Sequence, residues 1–417
     1  MLKRNIFYNY LGTIFTVSAP IITLPQFLRI LGVEAWGLIA LLNMFVAILL
    51  IFEAGVSQVL TKDLSLAYYS NDTDNCNFKK YFTSFRNLYS YIGILIAIIF
   101  ALFSGVIAEF WIKNSGASFE DTKIVVISAG IIAGLQLASS PYRSLLSGIG
   151  SHQSLNLISI NVTVFKYFGG LLAVQHTHSI NTLIIFYLIG SIFELLGRIF
   201  FSKKYIGTGR YFFVSWAHVN DAFPAMSVMS ISVLISLLAM QADKLIVSYY
   251  LTIKDFSMYS IASSISMGAM QFINPLMISY SPEIFKKYKS VNDINRINKN
   301  IYIAIAVLAS ISWFFYFESG SDILNLWLSN RELVQLLYYP IMFLLLGVTI
   351  NAFYNVQYIK WLATGRTKII LLINCVTLLL TIIISPLLTL KYGVNGAAFG
   401  WTLINFVMLF LSFFFRK

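Results

Sequence analysis

The residues able to do chemistry in this chain are charges set inside apolar runs. "QADKLIVSYY", from Gln241, puts Asp243 and Lys244 side by side at the end of one such run, and "NVTVFKYFGG" puts Lys166 inside another. Glu53 and Glu194 lie at the inner end of a third run and within a fourth. A charge at bilayer depth costs at least ~2.5 kcal/mol on insertion scales, so such residues face a bundle interior, a cavity or a counter-charge. Helix neighbours point about 100° apart, so Asp243 and Lys244 cannot satisfy one another. Lys244 has a stem long enough to snorkel to the nearby boundary. Asp243 is short and is expected to face a cavity. Lys166 has two readings. A compact ammonium suits a diphosphate as a point charge, or it makes a structural ion pair with Glu194 or Asp243. Glu194 has Arg198 four residues on, the helix spacing that favours a pair. Glu53 is expected to mark the membrane interface rather than carry a proton, and Arg29 reads as interfacial. Arg143 and Lys360 fall at inner helix ends, where they either catch an anionic headgroup or supply the usual basic flank.

Composition names the medium in which these charges sit. The chain has 417 residues, 58% hydrophobic and 11% charged, with a mean hydropathy of +0.77. A soluble domain does not carry so much apolar surface with so little charge to cover it. The net charge of +12 therefore reads as basic residues flanking membrane spans, and no nucleic acid is expected as a partner. Cys76 and Cys375 are far apart and form no CxxC motif, and His176 and His178 are two residues apart in a short "QHTHS" loop. Neither pattern supports a metal site, and no cofactor is expected. The opening "MLKRNIFYNYLGTIF" reads as the start of a first span rather than a removed leader.

Spans of roughly 20 mainly apolar residues number twelve, at about 6–30, 36–59, 82–109, 124–147, 153–174, 180–200, 222–250, 256–281, 299–318, 333–357, 367–389 and 395–414. With both termini cytoplasmic, twenty-one of the 29 lysines and arginines fall on the inner side, Arg198, Lys203 and Lys204 among them, against seven on the outer side. That asymmetry is the positive-inside signature. "ILGVEAWGLIALLN" from Ile30 aligns with "YLTIKDFSMYSIASS" from Tyr250, and "YRSLLSGIGSHQS" from Tyr142 with "IKWLATGRTKI" from Ile359. The near-equal offsets imply two six-span halves, 1–210 and 211–417, in one orientation, with the substrate path between them. Pro20 and Pro25 interrupt the first span. Each removes a helical hydrogen bond, making the span either a hinge or a static bend.

Four stretches in order then resemble the polysaccharide-exporter branch of the MOP superfamily. They are "LPQFLRILGVEAWGLIALLNMF", "FEAGVSQVLTKDLS", "QADKLIVSYYLTIKDFSMYS", and "GRTKIILLIN" followed by "LLTLKYGVNGAAFGWTLINF". Size and span count resemble Wzx-type O-antigen flippases. The resemblance implies an all-α polytopic protein of two six-helix lobes in the bacterial cytoplasmic membrane. It implies a flippase for an undecaprenyl-diphosphate-linked oligosaccharide, with membrane lipids and the polysaccharide polymerase machinery as neighbours. It leaves open a coupling ion, H+ or Na+. A cation-coupled multidrug exporter of the same superfamily is the alternative. A membrane polymerase or ligase is disfavoured, because those families carry a large outer loop that this chain lacks.

Overall fold

The computed structural model describes residues 2–69, 76–112, 118–206, 214, 216–286, 291–364 and 366–415. Among them every regular element is helical. Lipid offers no partner for a bare backbone N–H or C=O, so a spanning segment satisfies its own as a helix. The chain forms two compact units, Met1–Leu237 and Leu238–Lys417. The division expected at residue 210 falls within 207–213, outside the described residues.

The first unit contains α1 (Leu2–Leu49), α2 (Ile51–Tyr69), α3 (Cys76–Ile112), α4 (Phe119–Gly148) and α5 (His152–Val164). A single turn of π-helix, Phe165–Gly169, joins α5 to α6 (Gly170–Thr177), and α7 (Ile180–Ile206) comes next. Helix α8 (Trp216–Tyr250) runs across the boundary into the second unit, which continues with α9 (Ile253–Lys286), α10 (Val291–Leu328), α11 (Arg331–Ala363) and α12 (Thr367–Phe414).

Eight helices among the described residues are long and apolar enough to cross a membrane. The two longest, at 38 and 47 residues, each contain a glycine with non-helical backbone near the middle, and 47 residues is about twice what one crossing uses. Each is a hairpin of two spans. In α1 the break is Gly32, at φ 86° and ψ 171°. Phe27 and Trp36 stack at 5.8 Å across it, although nine residues of straight helix would part them by about 13 Å. In α12 the break is Gly393, at φ 59° and ψ −138°. A Cβ built on Gly400 lies 3.3 Å from Leu388 Cδ1, where a straight helix would set the two about 18 Å apart. Positive φ is open to glycine at little cost, so both reversals fall on glycine. Opening the two hairpins raises eight spans to ten. With α8 and α9, of 35 and 34 residues, the architecture is consistent with the twelve expected. Helical φ/ψ continues through Pro20 and Pro25, so Gly32 and not a proline ends the first span. Any hinge at the prolines is a bend within a continuous helix.

Helix α4 is the hub of the first unit, packed on α1, α2, α3 and α7. Its approach to α3 is backbone on backbone. A Cβ on Gly93 would lie 2.5 Å from the Gly134 carbonyl oxygen, and the reverse holds for Gly134. In a bilayer, helices associate through such close van der Waals contact rather than through expulsion of water. Leu60, Leu64, Phe82, Phe85, Tyr142 and Leu145 close the core where α2, α3 and α4 meet. In the second unit α11 is the hub, against α9, α10 and α12. The lipid-facing side of α3 carries exposed Ile94, Leu95, Ile98 and Leu102.

Either Gly93→Val or Gly134→Val must push α3 and α4 apart, and overpacking of this kind costs about 1–3 kcal/mol. Gly105→Val is the control, since the nearest atom to its Cβ is 3.9 Å away. Gel filtration of detergent-solubilised protein after graded heating should show the first two variants failing at lower temperature than the parent, and the control matching it.

Candidate functional site: a charged strip in the first unit

The strip begins where α2 meets α4. Glu53 accepts hydrogen bonds at both carboxylate oxygens from Arg143 Nη2, each 2.8 Å, and a further one from the Ser140 hydroxyl. Glu53 is 5% exposed, while the Arg143 side chain is 44% exposed. The Glu53 carboxylate is buried in the protein and engaged by Arg143 and Ser140. Arg143 is its partner as well as a cation open on one side.

Ser139, the next residue along α4, faces α7. There Arg198 Nη1 donates to Ser139 Oγ at 2.6 Å, and Arg198 Nη2 pairs with Glu194 one turn back. Arg198 is buried, in the pair with Glu194 that the four-residue spacing favours. Two adjacent serines on α4 thus link two ion pairs, one on each side of the helix.

Lys166 continues the strip from within the π turn. Its Nζ donates to Ser191 Oγ on α7 at 3.2 Å and lies 5.7 Å from the centre of the Tyr187 ring. The Ser191 hydroxyl donates to the Tyr187 carbonyl at 2.9 Å, which leaves its oxygen to accept from the lysine. The lysine stem rests on Gly190, where a Cβ would come within 2.6 Å of Lys166 Cγ and Cε. Glu194 is taken by Arg198, and no carboxylate of this unit lies within 4 Å of Lys166 among the described residues. An ion pair to Glu194 is not what holds Lys166. The strip carries three cations, Arg143, Arg198 and Lys166, against two carboxylates, Glu53 and Glu194. One positive charge is left over.

In the second unit Asp243 is buried on α8. Its Oδ2 accepts from the Tyr259 hydroxyl of α9 at 2.5 Å. Its Oδ1 is buried and makes no hydrogen bond among the described residues. Asp243, expected to face a cavity, turns one oxygen to a tyrosine. Lys244 is half-buried and Arg29 is exposed. Lys360 lies in the last turn of α11, where a cation suits the helix C-terminus. Between α11 and α12, Asn355 donates to Asn351 at 3.0 Å and Asn351 to Asn405 at 2.7 Å.

Sequence reasoning passed over Ser139, Ser140, Tyr187, Ser191, Tyr259 and the asparagine chain. One signal was present. Tyr187, Ser191, Glu194 and Arg198 are spaced four, three and four apart, which lines one helical face.

Arg143→Ala strands the buried Glu53, whereas Glu53→Gln with Arg143→Ala removes both charges. Losing one partner of a buried pair costs up to ~3–5 kcal/mol, and replacing both is milder. The amount of folded protein in the membrane should fall with the single substitution and recover with the double one.

The comparisons with known proteins agree with this architecture. The chain matches the family described as polysaccharide biosynthesis protein over residues 27–317. A Shigella flexneri protein described as a candidate O-antigen transporter is 21% identical over 96% of this chain and 94% of its own length. Among solved structures, the lipid II flippase MurJ superposes with a TM-score of 0.77 at 16% identity, covering 99% of this chain and 87% of that one. A multidrug resistance MATE family transporter of the MOP superfamily gives 0.75 at 12% identity, over 99% and 97%. At such identities the structural likeness establishes the fold. The family match spans well over half of the chain, which therefore belongs to the polysaccharide biosynthesis protein family, as a multi-pass membrane protein with the MOP transporter fold.

Proposed function

We propose that the chain is a flippase that carries an undecaprenyl-diphosphate-linked oligosaccharide, the repeat unit of an O-antigen or similar surface polysaccharide. The movement is from the cytoplasmic to the outer leaflet of the bacterial inner membrane, with both termini cytoplasmic. The observation that carries this reading is the unmatched cation of the first unit. Lys166 sits at membrane depth on a serine hydroxyl and beside an aromatic ring, and among the described residues no carboxylate of its unit pairs with it. A buried charge without a counter-charge is costly unless a ligand supplies one. A diphosphate supplies it, and an ammonium binds phosphate as a point charge. Arg143, open on one side, extends the same attraction toward the inner end of α4.

The related Shigella flexneri protein and MurJ support the substrate class through what they are described as moving. Movement is by alternating access between the two halves, with bending of the first span at Pro20 and Pro25. Completed units then pass to the polymerase machinery outside.

Asp243 supports a coupling role in either a flippase or a drug exporter. A carboxylate buried with one oxygen on Tyr259 and the other without a hydrogen bond among the described residues is stable as the acid or with a small cation at Oδ1. In this reading Asp243 takes H+ or Na+, and Lys166 takes the substrate. The drug-exporter reading asks for cationic cargo, which the excess positive charge of the strip repels.

In a strain deleted for the gene, lipid-linked single repeat units should accumulate on the cytoplasmic side, and the wild-type chain should clear them. Lys166→Met should leave them accumulated at an unchanged membrane level of protein. Lys166→Arg should clear them in part, and Gly190→Ala, which displaces the lysine stem, should slow clearance. Normal clearance by Lys166→Met would remove Lys166 from the substrate path.

A further inference from the structure

A groove on the side of the first unit has no part in the charged strip. It encloses about 300 Å³ between α5 and α7, and Leu157, Ile158 and Asn161 of α5 face Phe193, Gly197 and Phe201 of α7 across it. It is open because of one missing side chain and two pinned rings. At Gly197 there is no side chain, and a Cβ there would already touch Ile158 Cγ1 at 3.3 Å. Phe193 is held edge-on to Phe165 at 5.1 Å, and Phe165 stacks on Phe186 at 4.9 Å. These rings anchor the upper wall to the π turn and leave the space below it unfilled.

Depth and charge say what fits. Helix α7 ends in Lys203 and Lys204, both exposed. Gly197 lies about 9 Å up the helix from Lys203, and Phe193 about 15 Å. One leaflet of the hydrocarbon core is about half of 30 Å thick. The groove lining runs from Phe201, within a turn of the two exposed lysines, to Phe193, just short of the level of Lys166, a rise that fits within a single leaflet. An occupant of matching chemistry has an anionic head and a long apolar tail. Phe193, Gly197 and Phe201 share a face of α7 that is rotated around the helix from the face of Ser191, Glu194 and Arg198.

We propose that this groove holds the polyprenyl tail of the lipid-linked substrate, with its diphosphate first caught at Lys203 and Lys204. The proposal rests on the flippase reading. Two features favour a polyprenyl diphosphate over an ordinary phospholipid. A diphosphate brings more negative charge to the paired lysines than a single phosphodiester does. A tail branched at every isoprene unit needs a wide, ring-walled slot, where a linear acyl chain fills a narrow crack. One helix then serves both ends of the substrate. The head moves along the charged face of α7 toward Lys166 while the tail stays in the groove on the neighbouring face.

The test places a photoreactive benzoylphenylalanine at position 193, and at Leu102 on the exposed face of α3 as a lipid-facing control. Membranes containing undecaprenyl diphosphate and phosphatidylglycerol are irradiated, and the adducts are identified by mass spectrometry. Position 193 should favour the polyprenyl lipid over the phospholipid by about tenfold more than position 102 does, a preference of about 1.4 kcal/mol. The same lipid ratio at both positions overturns the proposal. In parallel, Gly197→Phe should fill the groove and slow clearance of the lipid-linked unit. Should the wild-type chain clear the unit while position 193 captures only phospholipid, the groove assignment fails and the flippase reading stands. If the deletion strain accumulates nothing, the flippase reading fails. The adduct ratio still decides the groove, because it reads the ligand directly.

Discussion

A charge inside a bilayer has to be matched, and the strip at the centre of the first unit does so for four of its five charged side chains. Glu53 and Arg143 match each other, and so do Glu194 and Arg198. Lys166 is supported by a hydroxyl and a ring, and no carboxylate pairs with it among the described residues. That imbalance would be a defect in a purely structural bundle, since lipid offers nothing to offset it. In a carrier of anionic headgroups it is the attraction itself.

The fold explains how a strip of five charges is held within a few helical turns. Helix α4 approaches α3 so closely at Gly93 and Gly134 that backbone touches backbone. Its other sides are left to α2 and α7, and the adjacent Ser139 and Ser140 reach one ion pair each. Helix α5 meets α7 at Gly190 and Gly197, which admit the Lys166 stem at one level and an open groove at the other. The π turn sets the lysine between them. An extra residue in a helical turn rotates every later side chain around the axis, and such turns recur at functional sites.

Much of this architecture could be read from the amino acids, because hydropathy is local. The spans around Gly32 and Gly393 were separated correctly, since a glycine amid polar residues interrupts each apolar run. The expected second span stopped near residue 59, but α2 continues to Tyr69, because "TKDLSLAYY" is polar yet still helix-forming. The Glu194–Arg198 pair was legible for the same reason: its partners are four residues apart. Glu53 and Arg143 are 90 residues apart, and Lys166 and Ser191 are 25 apart. No periodicity announces such pairings, which depend on how α2, α4, the π turn and α7 pack. Asp243 was recognised as anomalous, but its bond to Tyr259 depends on the angle between α8 and α9.

The central claim is that the unmatched positive charge of the first unit selects a diphosphate-linked lipid as cargo. Its most direct test is reconstitution. Purified chain in liposomes, with a polyprenyl-diphosphate oligosaccharide placed in one leaflet, should carry that lipid to the other leaflet, where an added glycosidase cuts it. The same oligosaccharide joined to the polyprenyl chain through a neutral ether in place of the diphosphate should not move. Transfer of the neutral lipid at the same rate, or export of organic cations with no transfer of the diphosphate, would contradict the account.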